Sequence, residues 1–272
     1  VRVEDGFLRS GGLGAELVPP RSLVLDDLGI YYDPSRESRL ERLVAEAAAG
    51  LAPDERERAE RLVARLAALG LSKYNLPGAL PPLPVGRRLL VPGQVEDDAS
   101  VRLGAAGAVR TNRALLVAAR AANPGAVILW KPHPDVEAGL RPGAVPDAGD
   151  LADVVLDRAG ATEAIAAAEE VWTMTSTLGF EALLRGKRVV CLGQPFYAGW
   201  GLTEDRGGAP ARRSARPDLV AFAHAALIAY PRYHDPATGL PCPVEAAVGR
   251  LASGAIPHPG AANRALAKLQ GA

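Results

Sequence analysis

The chain has 272 residues, enough for one large domain or two small ones, each with its own core. Hydrophobic residues make up 48% and charged residues 23%, and 31 Lys plus Arg balance 31 Asp plus Glu, so no net field recruits nucleic acid or an anionic membrane. Cys191 and Cys242 lack metal-ligand spacing, and no stretch reads as a membrane span or signal peptide. Cys191, in the apolar run 189–192, reads as a buried thiol, which suits a reducing cytoplasm.

Val1-Arg2-Val3 reads as the interior of a strand with no initiating methionine, as in part of a longer protein. The glycine-rich Gly11-Gly12-Leu13-Gly14 suggests a dinucleotide fingerprint, but Leu17 stands where the third glycine belongs. Ser22 to Leu25 and Ile30 to Tyr32 are expected as strands. Two helices follow, with apolar faces Leu40, Leu43, Val44, Ala47 and Ala59, Leu62, Val63, Leu66, Leu69, ended by Gly50 and Gly70. Ser72-Lys73-Tyr74-Asn75 opens a linker with prolines at 77, 81, 82 and 84, the natural place for a domain boundary.

Beyond the linker, strands at 88–91, 126–130, 154–156, 171–173 and 188–192 alternate with helices, which implies parallel βαβ units. Thr111 is placed to cap a helix ending near Ala122, and another spans about 162–168. Ser176-Thr177 opens a helix over 178–184, and amphipathic helices at 218–229 and 244–251 close the chain.

In a parallel sheet the polar loops Gln94–Asp98, Lys131–Asp135, Thr173–Glu181 and Gly193–Gly201 all leave one edge, where ligands bind such sheets. Prolines 132 and 134 hold Lys131 and His133 extended, placing a cation and an imidazole at a buried strand's exit, a fitting floor for a phosphate. Thr175-Ser176-Thr177 reads equally as an anion-binding helix start and as a plain cap, with Glu181 one turn in. Glu96-Asp97-Asp98 reads on its own as an acidic surface turn. The four histidines show no metal-ligand spacing, so no metal site is expected.

Seven blocks, EDGFLRS, LVLDDLGIYYD, SKYN, QVEDDAS, KPHPDV, TSTLGFEALLRG and PFYAGWGLTED, together resemble the KpsC-type capsule polysaccharide β-Kdo transferases, with YHDPATGLPCPVE also fitting. The resemblance runs from Glu4 to about Glu245. It implies an α/β, GT-B-like enzyme with two Rossmann-like lobes around a cleft, the N-terminal lobe truncated at its start. The corresponding domains are residues 1–84 on the acceptor side, 85–215 as the CMP-sugar-binding lobe, and 216–272 as helices packing back.

The implied activity is retaining transfer of Kdo from CMP-β-Kdo to a lyso- or phosphatidylglycerol-linked Kdo acceptor in capsule linker synthesis. It needs no cofactor, and it runs at the cytoplasmic face of the inner membrane with peripheral association. A second transferase module is expected in the full-length chain. By the same resemblance Asp98 is the nucleophile, and Glu4 and Asp5 activate the acceptor. Gln94, Lys131, His133, Ser176, Thr177, Glu181 and Arg9 bind the donor, with Arg9 or Lys131 pairing with the Kdo carboxylate. Two alternatives stand beside this reading: a GT-B transferase of another nucleotide sugar, and a catalytically silent module that docks lipid or a partner.

Overall fold

The computed structural model describes residues 1–12, 18–76, 78–105, 107–235 and 238–254. The second half of the glycine-rich stretch, residues 13–17, lies outside them. The chain opens with β1 (Arg2–Asp5), β2 (Ser22–Asp26), α1 (Arg39–Ala49) and α2 (Pro53–Ala68). Next come β3 (Arg88–Pro92), α3 (Ala99–Gly104), α4 (Asn112–Ala122), β4 (Val127–Lys131), α5 (Pro134–Glu137), α6 (Ala148–Leu151) and β5 (Val154–Val155). α7 (Ala161–Ala167), β6 (Glu170–Thr173), α8 (Thr177–Leu183), β7 (Arg188–Cys191) and β8 (Glu204–Asp205) follow. The last elements are α9 (Leu219–Ala223), which runs into a π-helical segment His224–Ala229, then β9 (Pro231–His234), β10 (Pro241–Cys242) and α10 (Val244–Ala252).

These elements form two compact units. One holds Val1–Ile30, Arg36–Leu76 and the described residues from Ala215 on; the other holds Tyr31–Ser35 and Pro77–Ser214. The chain therefore leaves the first unit and returns to it.

The second unit is built on a six-stranded sheet of order β5-β4-β3-β6-β7-β8 with every pairing parallel. Numbered from β3, this is the 3-2-1-4-5-6 order of doubly wound nucleotide-binding folds. β3 and β4 are apolar almost throughout and buried on both faces, as a central parallel strand requires. Leu115, Leu116 and Ala119 of α4 pack with Leu89, Ile128 and Trp172 of the sheet. The Thr111 hydroxyl caps α4 by accepting from the Ala114 N–H at 3.1 Å.

The first unit departs from the Rossmann-like lobe expected for it. Among the described residues its sheet is four-stranded and antiparallel, of order β1-β2-β9-β10. Among the described residues no crossover helix separates β1 from β2 or β9 from β10, and without one, strands adjacent in sequence pair antiparallel. The expected strand at 30–32 is a turn. The cause is Asp26, which is 1% exposed. Its Oδ1 accepts from the Leu28 and Gly29 N–H groups and its Oδ2 from the Arg39 N–H, so the chain bends back into α1. The helix expected over 218–229 is α9 continued by the π-helical segment.

Candidate functional site

Since β3, β4, β6 and β7 are mutually parallel, the four polar loops that follow them leave the same edge of the sheet. The strand order reverses between β3 and β6, the position where such sheets open a crevice for ligand. Here that point is closed by a two-point bond. Gln94 Nε2 donates to Thr175 Oγ1 at 2.8 Å, and the Thr175 N–H donates to Gln94 Oε1 at 2.9 Å. Gln94 is 5% exposed, so its amide acts as a tie between strand ends.

The backbone of Gln94 is held as firmly by Asn112. Asn112 Oδ1 accepts from the Gln94 N–H at 2.9 Å, and its Nδ2 donates to the carbonyls of Gln94 and Gly143 at 2.7 Å each. The Asn112 N–H in turn donates to Glu96 Oε1 at 2.7 Å. Sequence reasoning missed Asn112. Its only signal was an amide at the first position of an apolar helix.

At the end of β4, Lys131 is 5% exposed and makes no hydrogen bond or ion pair among the described residues. Burial lowers the pKa of its ammonium group, against the opposing pull of Glu137, Glu181 and Glu163. His133 caps α5, its Nδ1 accepting from the Asp135 N–H at 3.1 Å. An acceptor at Nδ1 puts the ring proton on Nε2, which makes that nitrogen a donor. Glu181 of α8 is 7% exposed. Arg185 belongs to the same neighbourhood: burial lowers its pKa, while Glu181 and Glu163 oppose the shift. Arg185 and Glu163 were also missed, although Arg185 stands only four residues after Glu181, in the turn that ends α8.

Around the start of α8 most amide donors are engaged. The Thr175 N–H goes to Gln94, the Ser176 N–H to Thr173 Oγ1 at 3.2 Å, the Leu178 N–H to Ser176 Oγ at 3.2 Å, and the Gly179 N–H to the Ser176 carbonyl at 3.0 Å. The Thr177 N–H makes no hydrogen bond among the described residues. An anion here would meet that one amide and two hydroxyls, not a ring of amides. The buried Tyr197, from the loop after β7, fixes the turn by donating its hydroxyl to the Ser176 carbonyl at 2.6 Å.

The acidic triplet follows β3. Glu96 is tied to Asn112, and Asp97 pairs with Arg141 at 2.7 Å. Asp98 is exposed and caps α3, its Oδ1 accepting from the Ser100 N–H at 2.8 Å and the Ser100 hydroxyl at 2.7 Å. Its Oδ2 makes no hydrogen bond among the described residues. Gln94, Asp98, Lys131, His133, Ser176, Thr177 and Glu181 thus gather at one edge of the second unit's sheet. Glu4, Asp5 and Arg9 lie in the first unit, where Glu4 Oε1 accepts from the Asp5 N–H at 2.9 Å. Arg9 pairs with Asp5 and donates to Ser10 Oγ at 3.0 Å.

Among the described residues no three His, Cys, Asp or Glu side chains are grouped to hold a metal ion, and no helix is long and apolar enough to cross a membrane.

A parallel, Rossmann-type sheet whose C-terminal edge carries a buried lysine, a histidine donor, hydroxyls and a carboxylate defines an α/β protein of the doubly wound class. The chain belongs to the family described as Capsule polysaccharide biosynthesis protein, which matches residues 1–80 and 84–233. It is 44% identical over 258 residues to the lipopolysaccharide-processing protein LpsZ of Rhizobium meliloti, spanning 92% of this chain and 58% of that protein. It is 46% identical over 242 residues to the capsule polysaccharide modification protein LipA of Neisseria meningitidis serogroup A, spanning 88% of this chain and 34% of that one. The chain therefore spans between about a third and three fifths of these relatives.

Its fold matches two solved structures of Thermosulfurimonas dismutans KpsC. The beta Kdo 2,4 transferase aligns with a TM-score of 0.83 and 38% identity, over 92% of this chain and 78% of that one. The beta Kdo 2,7 transferase aligns with a TM-score of 0.76 and 35% identity, over 93% and 77%.

Proposed function

We propose that the chain is a retaining glycosyltransferase of GT-B organisation that moves Kdo from CMP-β-Kdo to a lipid-linked Kdo acceptor in capsule polysaccharide synthesis. The observation that carries this reading is the gathering of Lys131, His133, Thr177 and Asp98 at one sheet edge, in a chain 38% identical to a Kdo transferase. Departure of CMP leaves negative charge on a phosphate. The Lys131 ammonium and the His133 Nε2–H are suited to neutralise it, and the buried setting of the lysine strengthens the interaction. Glu181 is assigned to the ribose hydroxyls.

Asp98 holds one carboxylate oxygen in its helix cap and keeps the other for attack at the anomeric carbon. That attack forms a covalent Kdo ester as the bond to the CMP phosphate breaks. An acceptor hydroxyl then displaces the ester, its proton passing to Glu4 or Asp5, and two inversions give net retention. The reading places the protein at the cytoplasmic face of the inner membrane, held there peripherally.

Incubation with CMP-β-Kdo followed by peptide mass mapping is expected to show a Kdo adduct on Asp98. An adduct on another residue overturns the assignment of the nucleophile. Asp98→Asn is the matched variant, because asparagine keeps the helix cap and removes only the nucleophile. The exposure of Asp98 and its engagement as a helix cap fit a second reading, a module that docks acceptor without catalysing transfer. Under that reading Asp98→Asn leaves Kdo transfer unchanged.

A further inference from the structure

Four cationic side chains among the described residues are at least nine-tenths buried: Arg9, Arg21, Lys131 and Arg213. Arg9 is paired with Asp5, and Arg213 donates to the carbonyls of Pro195 and Ala198 at 2.6 and 2.9 Å. Lys131 belongs to the site described above. Arg21, in the first unit, has no role in it.

Arg21 stands one residue before β2, and its backbone is fixed on both sides. Its N–H donates to the Arg9 carbonyl at 2.7 Å, and its carbonyl accepts from the His234 N–H at 3.2 Å. Its side chain is 6% exposed, its Nε is enclosed without a hydrogen-bond partner, and its guanidinium makes no ion pair among the described residues. The carboxylate that acts on it from a distance is Asp235, which Arg250 already holds through two bonds of 3.1 and 3.0 Å. Burial outweighs that attraction and lowers the Arg21 pKa.

Two further basic residues are tied to the same stretch through their backbone. The Arg9 and Ser10 N–H groups both donate to the Lys73 carbonyl, at 3.1 and 3.2 Å, so Arg9, Arg21 and Lys73 are anchored on adjoining backbone. Asp5 answers Arg9. A guanidinium whose Nε is enclosed without a partner is costly in a folded protein, and the chemistry that relieves the cost is a planar or tetrahedral oxyanion matching its fork of donors.

We propose that Arg21 anchors an oxyanion-binding site in the first unit, taking a carboxylate or a phosphate. That this group is carried by the acceptor, whose sugar acid and lipid phosphate both have the required chemistry, rests on the transferase reading above. The same geometry reassigns the carboxylate-pairing role expected of Arg9, whose guanidinium is already engaged by Asp5 and Ser10.

The test compares wild type, Arg21→Met, Arg21→Lys and Lys131→Met by thermal unfolding and calorimetry, using inorganic phosphate, free Kdo and CMP as probes. Without added anion, Arg21→Met is expected to unfold at the same temperature as wild type or higher, because an unpaired buried charge has been removed. Its response to one anion should be lost: phosphate if the site takes a phosphate group, free Kdo if it takes a carboxylate. Arg21→Lys keeps the charge without the fork and is expected to weaken the affinity for that anion at least fivefold.

The CMP response should survive in Arg21→Met and weaken about tenfold in Lys131→Met. Wild type that ignores CMP sinks the transferase reading but leaves the anion arms to decide the Arg21 site. A fall of roughly 5 °C or more in Arg21→Met without anion, or failure of that variant to fold, shows a structural role and overturns the proposal. Unchanged affinity for both anions in Arg21→Lys overturns it as well.

Discussion

Lys131 shows how one residue's burial turns into a pH dependence. Burial lowers its pKa from the ordinary 10.5. Below that lowered value both folded and unfolded chains carry the proton, and the fold bears the full cost of an enclosed charge. Between the lowered value and 10.5 the unfolded chain binds more protons than the folded one, so stability rises with pH across that window. Urea unfolding from pH 7 to 10.5 is expected to show this rise in wild type and a flatter profile in Lys131→Met. CMP affinity should run the other way, falling as pH rises through the lowered pKa, and Lys131→Met should lose about tenfold at pH 7. A rise of equal slope in the variant would assign the effect to other groups. The lysine and histidine were legible because two prolines and a buried strand frame them in ten residues. The ties made by Gln94 and Asn112 were not, since they join side chains 81 and 18 residues from their partners. Asn112 serves three backbone groups, and Asn112→Leu is expected to cost about 2 kcal/mol or more in urea unfolding.

At the scale of the element, α8 reads from sequence as a capped helix, and the structure keeps it within one residue of the expected ends. What the sequence hid is how closely the loop after β7 presses on it. A Cβ on Gly179 would lie 2.2 Å from Tyr197 Oη and 2.8 Å from Cζ. Tyr197 cannot retreat, because Phe196 and Phe180 pack against it with ring centroids 5.1 and 6.5 Å away. Gly→Ala inside a helix ordinarily gains roughly 0.5–1 kcal/mol. Here Gly179→Ala is expected to lose about 1–3 kcal/mol through overpacking. Tyr197→Phe removes the colliding hydroxyl, so the double variant should recover part of that loss, visible as a coupling in a double-mutant cycle. Strictly additive effects would show that the two residues do not meet. Short elements were the least legible: β8 and β10 have two residues each and carry no period to detect.

Over the whole molecule, the proline linker marked where the chain enters the second unit, because its residues suit neither helix nor strand. The return to the first unit came only from the resemblance, as helices packing back, and the pairing of β9 and β10 with its sheet was invisible. Tyr230 donates its hydroxyl to Asp26 Oδ2 across 204 residues of sequence, and β2 pairs with β1 on one edge and β9 on the other. Arg58 of α2 likewise holds Glu245 of α10 through bonds of 2.8 and 3.0 Å. A fragment of residues 1–84 therefore keeps a two-stranded ribbon and two helices but loses the strands and helices that complete its sheet and cover it. Two strands alone are marginal in water. Residues 78–214 by contrast retain all six strands of the parallel sheet and the helices packed on it. Circular dichroism and thermal melting are expected to find the first fragment without a cooperative transition and the second with one. Calorimetry should find that the 78–214 fragment still binds CMP, since Lys131, His133, Thr177 and Glu181 all lie within it. Cooperative folding of 1–84 would show that the returning strands are dispensable. A folded 78–214 fragment blind to CMP that the whole chain binds would move the nucleotide site away from that sheet edge.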